Sequence, residues 1–433
     1  MEVCGLDIFR VTGGKRLKGE VRMKSAKNAV LPMLAASVMT SGETILNDCP
    51  ELDDIKNMCR ILNDIGCETE TENGKIRIRS ERAFSDTLES ELTGKLRSSV
   101  FMMGPMLSRF GKARVAYPGG CDIGQRPIDL HLKGLRALGV RIRERNGYII
   151  LDGSYMKPGE ILLDFPSVGA TENLIMASIG LKGKSIILNA AREPEVRDLI
   201  SLLNKMGARI TGAGTGRIEI EGTDSLAGCA YTPIPDRIAA GTILCAAAIT
   251  GGEVGIENTV KADMEPIVGK LREMGAEITE TENRISISVT GRLKSVNIQT
   301  LPHPGFPTDM QSQMTALLSL ADGTGAVVEN IFENRFTHVP ELKKMGADIT
   351  VYQNYAYIRG GELHGARVKS KNLRAGAALV IAALAAEGES RIEDVFYIDR
   401  GYEKLEETMV SLGADMERTK ETRENHGKRK EEQ

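Results

Sequence analysis

Residues 203–212 read LNKMGARITG, and this short phrase decides the fold because it returns along the whole chain. In each copy a leucine or methionine stands four residues before a glycine, and alternating apolar and polar residues follow. The six glycines are 67 to 73 residues apart: Gly66, Gly139, Gly207, Gly275, Gly346 and Gly413. Each lies where an apolar helical pattern stops, which suits a C-terminal cap with positive φ. Six copies predict an α/β repeat protein.

A second repeated phrase is a glycine turn that leads into a short strand. Residues 41–50, SGETILNDCP, are one example, and four other copies have an equivalent. An alanine-rich helical pattern precedes each turn. The repeat therefore predicts strand, helix, strand, helix and a pair of strands over about 70 residues. Only the second copy departs from it, because it has a cysteine-containing loop where the others have a plain strand exit.

The middle of the chain suggests how six units are grouped. Residues 231–237, YTPIPDR, are punctuated by proline and predict a crossing between two lobes of three units each. A cleft between two lobes is a favoured ligand site. Residues 419–433 are charged and lack apolar anchors, which predicts a disordered tail.

Composition excludes several classes of function. The 433 residues contain 56 basic and 59 acidic side chains, and there is no tryptophan, so we expect no nucleic-acid partner. Seven cysteines and five histidines are dispersed without metal-ligand spacing, which predicts no metal site and a reducing cytoplasm. The N-terminus lacks a signal-peptide pattern. The longest apolar runs have about ten residues, half of what a membrane span needs, so we expect no membrane association.

Residues 117–131, YPGGCDIGQRPIDLH, present Cys121 among glycines that clear space around its sulfur. If the loop folds back, Arg126 favours the reactive thiolate over the thiol. The alternative is a buried, inert cysteine at the end of a strand. This stretch alone leaves both interpretations open.

Other polar residues interrupt the apolar pattern. Lys27 opens an apolar helix, where its charge opposes the helix dipole, so an anion such as a phosphate is expected nearby; the alternative is a solvated lysine. Asp309 follows a Pro-Gly-Phe-Pro turn, where a helix cap is the simplest role. Arg335, Arg374 and Arg400 lie at junctions of the last two repeats, as surface charge or as ligands of a carboxylate or phosphate.

Over about residues 6–417 the chain resembles the enolpyruvyl transferase family, and within it the transferases that act on UDP-N-acetylglucosamine. The most specific stretches are KNAVLPMLAA (27–36), PGGCDIGQRPIDLH (118–131), PSVGATEN (166–173), NAAREPE (189–195), PDRIAAGT (235–242), HPGFPTDMQ (303–311), FENRFTHVPEL (332–342) and IDRGYEKL (398–405). The resemblance implies an α/β fold with two lobes of three repeated units, an inside-out α/β barrel. It places one lobe at 27–234 and the other at 1–26 plus 235–418.

The resemblance also implies the reaction. The enolpyruvyl group of phosphoenolpyruvate would move to the 3-hydroxyl of UDP-N-acetylglucosamine with release of phosphate, the first committed step of peptidoglycan synthesis. No metal or other cofactor is implied. The enzyme would be cytoplasmic, and a monomer or weak oligomer.

Roles follow at the matching positions. Cys121 looks like the general acid that protonates the phosphoenolpyruvate methylene, and Asp309 looks like the base for the sugar hydroxyl. Lys27 and Arg400 would also assist catalysis. Contacts to phosphoenolpyruvate are implied for Lys27, Asn28, Arg97, Arg126, Arg335, Arg374 and Arg400. Contacts to UDP-N-acetylglucosamine are implied for Asn28, Arg97, Arg126, Pro127, Ile128, Asp129, Leu130, Ser167, Val168, Gly169, Asp309 and Ile331.

One departure from the family pattern stands beside an implied ligand. The family has Asp-Leu-Arg where this chain has Asn372, Leu373 and Arg374, and asparagine cannot accept a proton. A paralogue that binds UDP-N-acetylglucosamine but turns over slowly, as a regulator, is therefore an alternative to an active transferase. Two others are the sister enzyme for shikimate 3-phosphate, against which the cysteine loop speaks, and an interaction scaffold, which would not need these charges.

Overall fold

The computed structural model describes residues 6–88, 97–117 and 128–421; for Leu6, Arg97 and Glu421 it describes the backbone only. The strands are β1 Leu6–Thr12, β2 Lys18–Arg22, β3 Glu43–Leu46, β4 Glu68–Glu72, β5 Lys75–Arg79, β6 Thr87–Leu88, β7 Lys112–Ala116, β8 Arg141–Arg145, β9 Tyr148–Asp152, β10 Glu160–Leu162, β11 Lys184–Leu188, β12 Arg209–Thr211, β13 Arg217–Glu221, β14 Ala230–Tyr231, β15 Glu253–Glu257, β16 Glu277–Glu280, β17 Arg284–Ser288, β18 Ile298–Gln299, β19 Thr324–Val328, β20 Asp348–Tyr352, β21 Tyr355–Arg359, β22 Arg367–Lys369, β23 Glu389–Glu393 and β24 Asp415–Glu421.

Two kinds of helix alternate with these strands. The α-helices are Lys27–Ala36, Asp53–Asp64, Met103–Phe110, Asp129–Ala137, Val168–Ile179, Pro194–Lys205, Arg237–Ile249, Lys261–Glu273, Gln311–Leu318, Val339–Lys344, Leu373–Ala385, Phe396–Asp399 and Leu405–Ser411. Short 3-10 helices span Ser37–Met39, Arg97–Met102 and Thr308–Met310. None of the helices in the described ranges is long and apolar enough to cross a membrane.

The described strands form six four-stranded sheets with one shared topology. In the sheet β10-β11-β13-β12, the first two strands are parallel, and β13 pairs antiparallel with both β11 and β12. The sheet β18-β19-β21-β20 repeats this arrangement. The predicted unit of strand, helix, strand, helix and strand pair is therefore confirmed.

The six repeated glycines show why the unit ends as it does. Their φ angles lie between 90° and 107°, in the left-handed region where a Cβ atom is strained. At Gly139 a Cβ atom would also lie 2.5 Å from the carbonyl oxygen of Tyr155. The predicted positive-φ caps are confirmed.

Each lobe is completed by strands from a distant part of the chain. The N-terminal strand β1 lies between β23 and β24, and β2 pairs in parallel with β15. In the other lobe, β14 pairs in parallel with β3 and supplies the first strand of that sheet. The chain therefore passes between lobes after β2 and again after β14.

The described residues form two hydrophobic cores. One core gathers residues between Ala26 and Leu226, and the other gathers Phe9 to Met23 with residues from Ile238 onward. At the centre of the second, the helices Arg237–Ile249, Gln311–Leu318 and Leu373–Ala385 pack against one another. These helices are buried on nearly all faces, as expected for helices at the centre of a core, although Gln311–Leu318 includes four polar residues.

The prediction of a disordered tail beginning at 419 is wrong at its first residues. Strand β24 continues to Glu421, and Thr419 and Lys420 pair with Ile8 and Asp7 of β1. The first residues of this charged segment are ordered because they pair antiparallel with β1, which lies some 400 residues earlier in the chain. Their local composition does not reveal this pairing.

Candidate active site

A cleft of about 730 Å³ has walls from both lobes. Twelve of the described residues that the sequence nominated line it: Lys27, Asn28, Asp129, Leu130, Ser167, Val168, Gly169, Asp309, Ile331, Arg335, Arg374 and Arg400. Ile128 is not in this wall; it is buried where it precedes the helix Asp129–Ala137. Cys121, Arg126 and Pro127, and the side chain of Arg97, lie outside the described part of the chain.

Asp309 is held between two arginines. One carboxylate oxygen lies 2.6 Å from Nη2 of Arg335 and the other lies 2.9 Å from Nη2 of Arg374. Both guanidiniums are buried, whereas the Asp309 side chain keeps 27% of its surface exposed. Asp309 lies inside the 3-10 helix Thr308–Met310, whose N-cap residue is Pro307, so it does not hold the N-cap position. The carboxylate is positioned by charge and remains open to the cleft.

Arg374 is anchored on two sides. Its Nη1 donates to the hydroxyl of Tyr402 at 3.1 Å, while Nη2 binds Asp309. Burial disfavours the charged guanidinium, but the neighbouring charge of Asp309 outweighs it and raises the pKa of Arg374. This arginine is therefore a fixed positive charge in the cleft wall.

Lys27 has an anionic partner in the protein itself. Its Nζ lies 3.0 Å from Oδ2 of Asp54, and Nε of Arg400 lies 2.9 Å from Oδ1 of the same carboxylate. A negative charge does lie beside Lys27, and it belongs to Asp54 of the protein, while a phosphate ligand stays a prediction. The interpretation as a solvated lysine is wrong because Lys27 is buried. Sequence analysis missed Asp54, although the unfavourable helix position of Lys27 signalled that a negative charge was needed.

Two helix N-termini face the cleft on the side of the first lobe. Asp129 begins one of them, and Ser167 caps the other by accepting the N–H of Ala170 at 3.4 Å. At Gly169 a Cβ atom would lie 3.2 Å from the ring of His131, so a side chain there would fit only if that ring shifted slightly. Helix N-termini of this kind favour anionic groups.

Asn372 has a structural role that the sequence did not reveal. Its side-chain oxygen accepts the N–H of Ala375 at 2.9 Å and so caps the helix that carries Arg374. Its amide nitrogen donates to the hydroxyl of Thr337 at 2.8 Å. Capping is a role that asparagine and aspartate fill almost equally well, so the loss of the family carboxylate leaves this geometry intact.

An acidic wall that sequence analysis left without a role closes another part of the cleft. Arg237 of the second lobe binds Glu195 of the first through two contacts of 3.0 and 3.2 Å. The N–H of His303 donates to Glu193 at 3.2 Å. Burial raises the pKa of Glu172 well above its usual range, and repulsion from Glu195 and Glu193 adds to this shift. These contacts join the two lobes at the back of the cleft.

Comparison with known proteins agrees with this architecture. The family model of EPSP synthase (3-phosphoshikimate 1-carboxyvinyltransferase) matches residues 11–409. The UDP-N-acetylglucosamine 1-carboxyvinyltransferase 2 of Caldanaerobacter subterraneus is 49% identical, with 95% of this chain and 99% of that protein covered. The UDP-N-acetylglucosamine 1-carboxyvinyltransferase 1 of Symbiobacterium thermophilum is also 49% identical, with 95% of each chain covered.

Solved structures with lower identity share the fold. The enolpyruvyl transferase NikO from Streptomyces tendae superposes with a TM-score of 0.87 at 24% identity, covering 96% of this chain and 100% of that one. EPSP synthase from Acinetobacter baumannii gives a TM-score of 0.75 at 19% identity, with the same coverage. The predicted two-lobed α/β architecture is therefore confirmed, and the chain belongs to the EPSP synthase family of enolpyruvyl transferases.

Proposed function

We propose that this enolpyruvyl transferase moves the enolpyruvyl group of phosphoenolpyruvate to the 3-hydroxyl of UDP-N-acetylglucosamine and releases phosphate, in the first committed step of peptidoglycan synthesis. The observation that carries the proposal is the Asp309 carboxylate, open to the cleft and held by Arg335 and Arg374. Relatives that are 45–49% identical over nearly the whole chain bear the name of this activity.

Cationic side chains and helix N-termini of the cleft suit different parts of the two substrates. Lys27, Arg335, Arg374 and Arg400 bring four cations to one cleft, which suits a substrate with a phosphate and a carboxylate. Preorganised charge of this kind is usually the largest contribution to catalysis. The helix N-termini at Asp129 and at Ser167–Gly169 suit the diphosphate of a nucleotide sugar.

Asp309 would accept the proton of the sugar 3-hydroxyl as that oxygen bonds to C2 of phosphoenolpyruvate. Cys121 would donate a proton to the methylene carbon. The C–O bond to phosphate then breaks, and loss of a methyl proton restores the double bond in the product. We also propose the lobe boundaries at residues 27 and 234, a cytoplasmic location and a monomeric or weakly oligomeric state.

Phosphate release, measured with UDP-N-acetylglucosamine and phosphoenolpyruvate, tests the proposal directly. Robust turnover that disappears when shikimate 3-phosphate replaces the nucleotide sugar is the expected result. Binding of UDP-N-acetylglucosamine without phosphate release would contradict it and favour a regulator. Turnover with shikimate 3-phosphate alone would reassign the acceptor.

A further inference from the structure

Asp54 is a nearly inaccessible carboxylate in the wall of the cleft, with 4% of its surface exposed. It lies in the first turn of the helix Asp53–Asp64, in the first lobe. Its two oxygens bind two different cations: Lys27 from the same lobe and Arg400 from the second lobe. One carboxylate thus joins the ammonium and the guanidinium across the boundary between lobes.

The charge of Asp54 is maintained by these partners. Burial works to raise the pKa of Asp54, but the charges and hydrogen bonds of Lys27 and Arg400 outweigh it, so the pKa is lowered. Lys27 depends on this charge in turn. It is buried at the start of the helix Lys27–Ala36, whose first turn contains no acidic residue, so the helix dipole opposes it.

Two carboxylates therefore organise four cations in different ways. Asp309 holds Arg335 and Arg374 and keeps 27% of its side chain exposed, so a hydroxyl group can reach it. Asp54 holds Lys27 and Arg400 with only 6% of its side chain exposed. A substrate hydroxyl has little access to Asp54, so Asp54 is excluded as a second base. The role that remains for this carboxylate is to orient Lys27 and Arg400.

We propose that Asp54 is a positioning residue for phosphoenolpyruvate, which fixes Lys27 and Arg400 beside each other so that both cations meet the same anion. This proposal rests on the proposed function. Because the two cations come from different lobes, Asp54 also makes the phosphoenolpyruvate site complete only when the lobes are correctly placed.

The chain offers a matched control in Asp263. This carboxylate has 5% of its side chain exposed and binds Nη2 of Arg197 at 2.7 Å, again between the two lobes. Neither residue of this pair lines the cleft. Asp54→Asn and Asp263→Asn therefore each remove the charge of a buried carboxylate that pairs with a cation of the other lobe, one inside the site and one outside it. Asp263 has a single partner in Arg197, whose side chain is 40% exposed, so this control is matched in the carboxylate rather than in the cation.

The test measures kcat and KM for each substrate, with thermal unfolding as a measure of folding. For Asp54→Asn we expect kcat/KM for phosphoenolpyruvate to fall about 100-fold, because two charge-assisted hydrogen bonds are lost. Binding of UDP-N-acetylglucosamine should be nearly unchanged. Asp263→Asn should leave both substrate parameters near those of the wild type. Asp54→Glu keeps the charge but displaces it by one methylene, and should lose about tenfold.

Three results would overturn the proposal: a folded Asp54→Asn protein with wild-type kcat/KM for phosphoenolpyruvate, equal losses in Asp54→Asn and Asp263→Asn, or a glutamate variant no better than the asparagine variant. If Asp54→Asn does not fold, Asp54→Glu becomes the test. Wild-type kinetics in the glutamate variant would show that the exact position of the carboxylate does not matter, and would overturn the proposal. Wild-type phosphate release tests the proposed function separately, because only ratios of variant to wild type test Asp54.

Discussion

Replacing Asn372 by alanine and by aspartate separates capping from chemistry at a position that departs from the family pattern beside an implied ligand. Asn372→Ala removes the bond to the N–H of Ala375, which is worth about 1 kcal/mol for an N-cap. It also removes the partly buried hydrogen bond to Thr337, worth about another 1 kcal/mol. The helix Leu373–Ala385 lies at the centre of the second lobe, so the loss of these two hydrogen bonds should lower the free energy of unfolding of the whole lobe.

A destabilisation of about 2 kcal/mol corresponds to a fall in Tm of about 4–8 °C for a lobe of this size. Asn372→Asp keeps the cap and places a negative charge at a helix N-terminus, where it is favourable by about 0.3–1 kcal/mol. The hydroxyl of Thr337 can donate to that carboxylate. We therefore expect Asn372→Asp to stay within about 1 kcal/mol of the wild type in stability.

The assay pairs thermal unfolding by circular dichroism with phosphate release. We expect Asn372→Ala to lose both stability and kcat/KM for phosphoenolpyruvate, because Arg374 lies in the first turn of the helix that Asn372 caps. Asn372→Asp should match the wild type in turnover. A rise in turnover of tenfold or more in Asn372→Asp, about 1.4 kcal/mol in the barrier, would refute this reasoning and support a slow paralogue. An alanine variant as stable as the wild type would refute the cap.

Three further outcomes follow from described contacts. Asp309→Asn should lower kcat by about 10²–10⁴-fold, as expected for loss of a general base, and turnover within tenfold of the wild type would exclude that role. Gly139→Ala should destabilise by more than about 1 kcal/mol, because φ is +90° and the carbonyl of Tyr155 is 2.5 Å away, whereas Gly361→Ala meets no atom within 4 Å; equal Tm values would contradict this. Burial raises the pKa of Asp198 from 3.8 to about 6, so its contribution to stability is present below pH 4 and is lost as pH rises through 6. The free energy of unfolding should fall by about 2–3 kcal/mol over that range, and Asp198→Asn should abolish this part of the slope.

The fold could be predicted because its information is local and repeated. Each glycine marks a positive-φ helix end, and each alternating stretch marks a strand pair. The family resemblance assigned residues 1–26 to the second lobe, but the strands with which β1 and β2 pair could not be predicted, because β24 and β15 are reached by pairing over hundreds of residues. No local pattern encodes which sheet a strand completes.

The site residues likewise include some that the sequence identified and some that it did not. Residues in long specific stretches, such as Asp309 and Arg335, were found and do meet in the cleft. Asp54 was missed, because an acidic residue in the first turn of an amphipathic helix is commonplace. Its significance depends on Arg400, which is 346 positions away in the chain. The capping role of Asn372 was missed for a related reason, since a cap is recognised from geometry rather than from residue type alone.

The way in which β1 closes the second lobe has a consequence for synthesis on the ribosome. Every element of the first lobe has been made once β14 has emerged, so that lobe can fold while translation continues. Strand β1 is among the first segments made, yet its neighbours β23 and β24 are among the last. The backbone groups of β1 therefore lack their strand partners for most of the time that translation takes. An unpaired strand edge invites association with other chains, so the nascent second lobe is the part of this protein that most needs a chaperone.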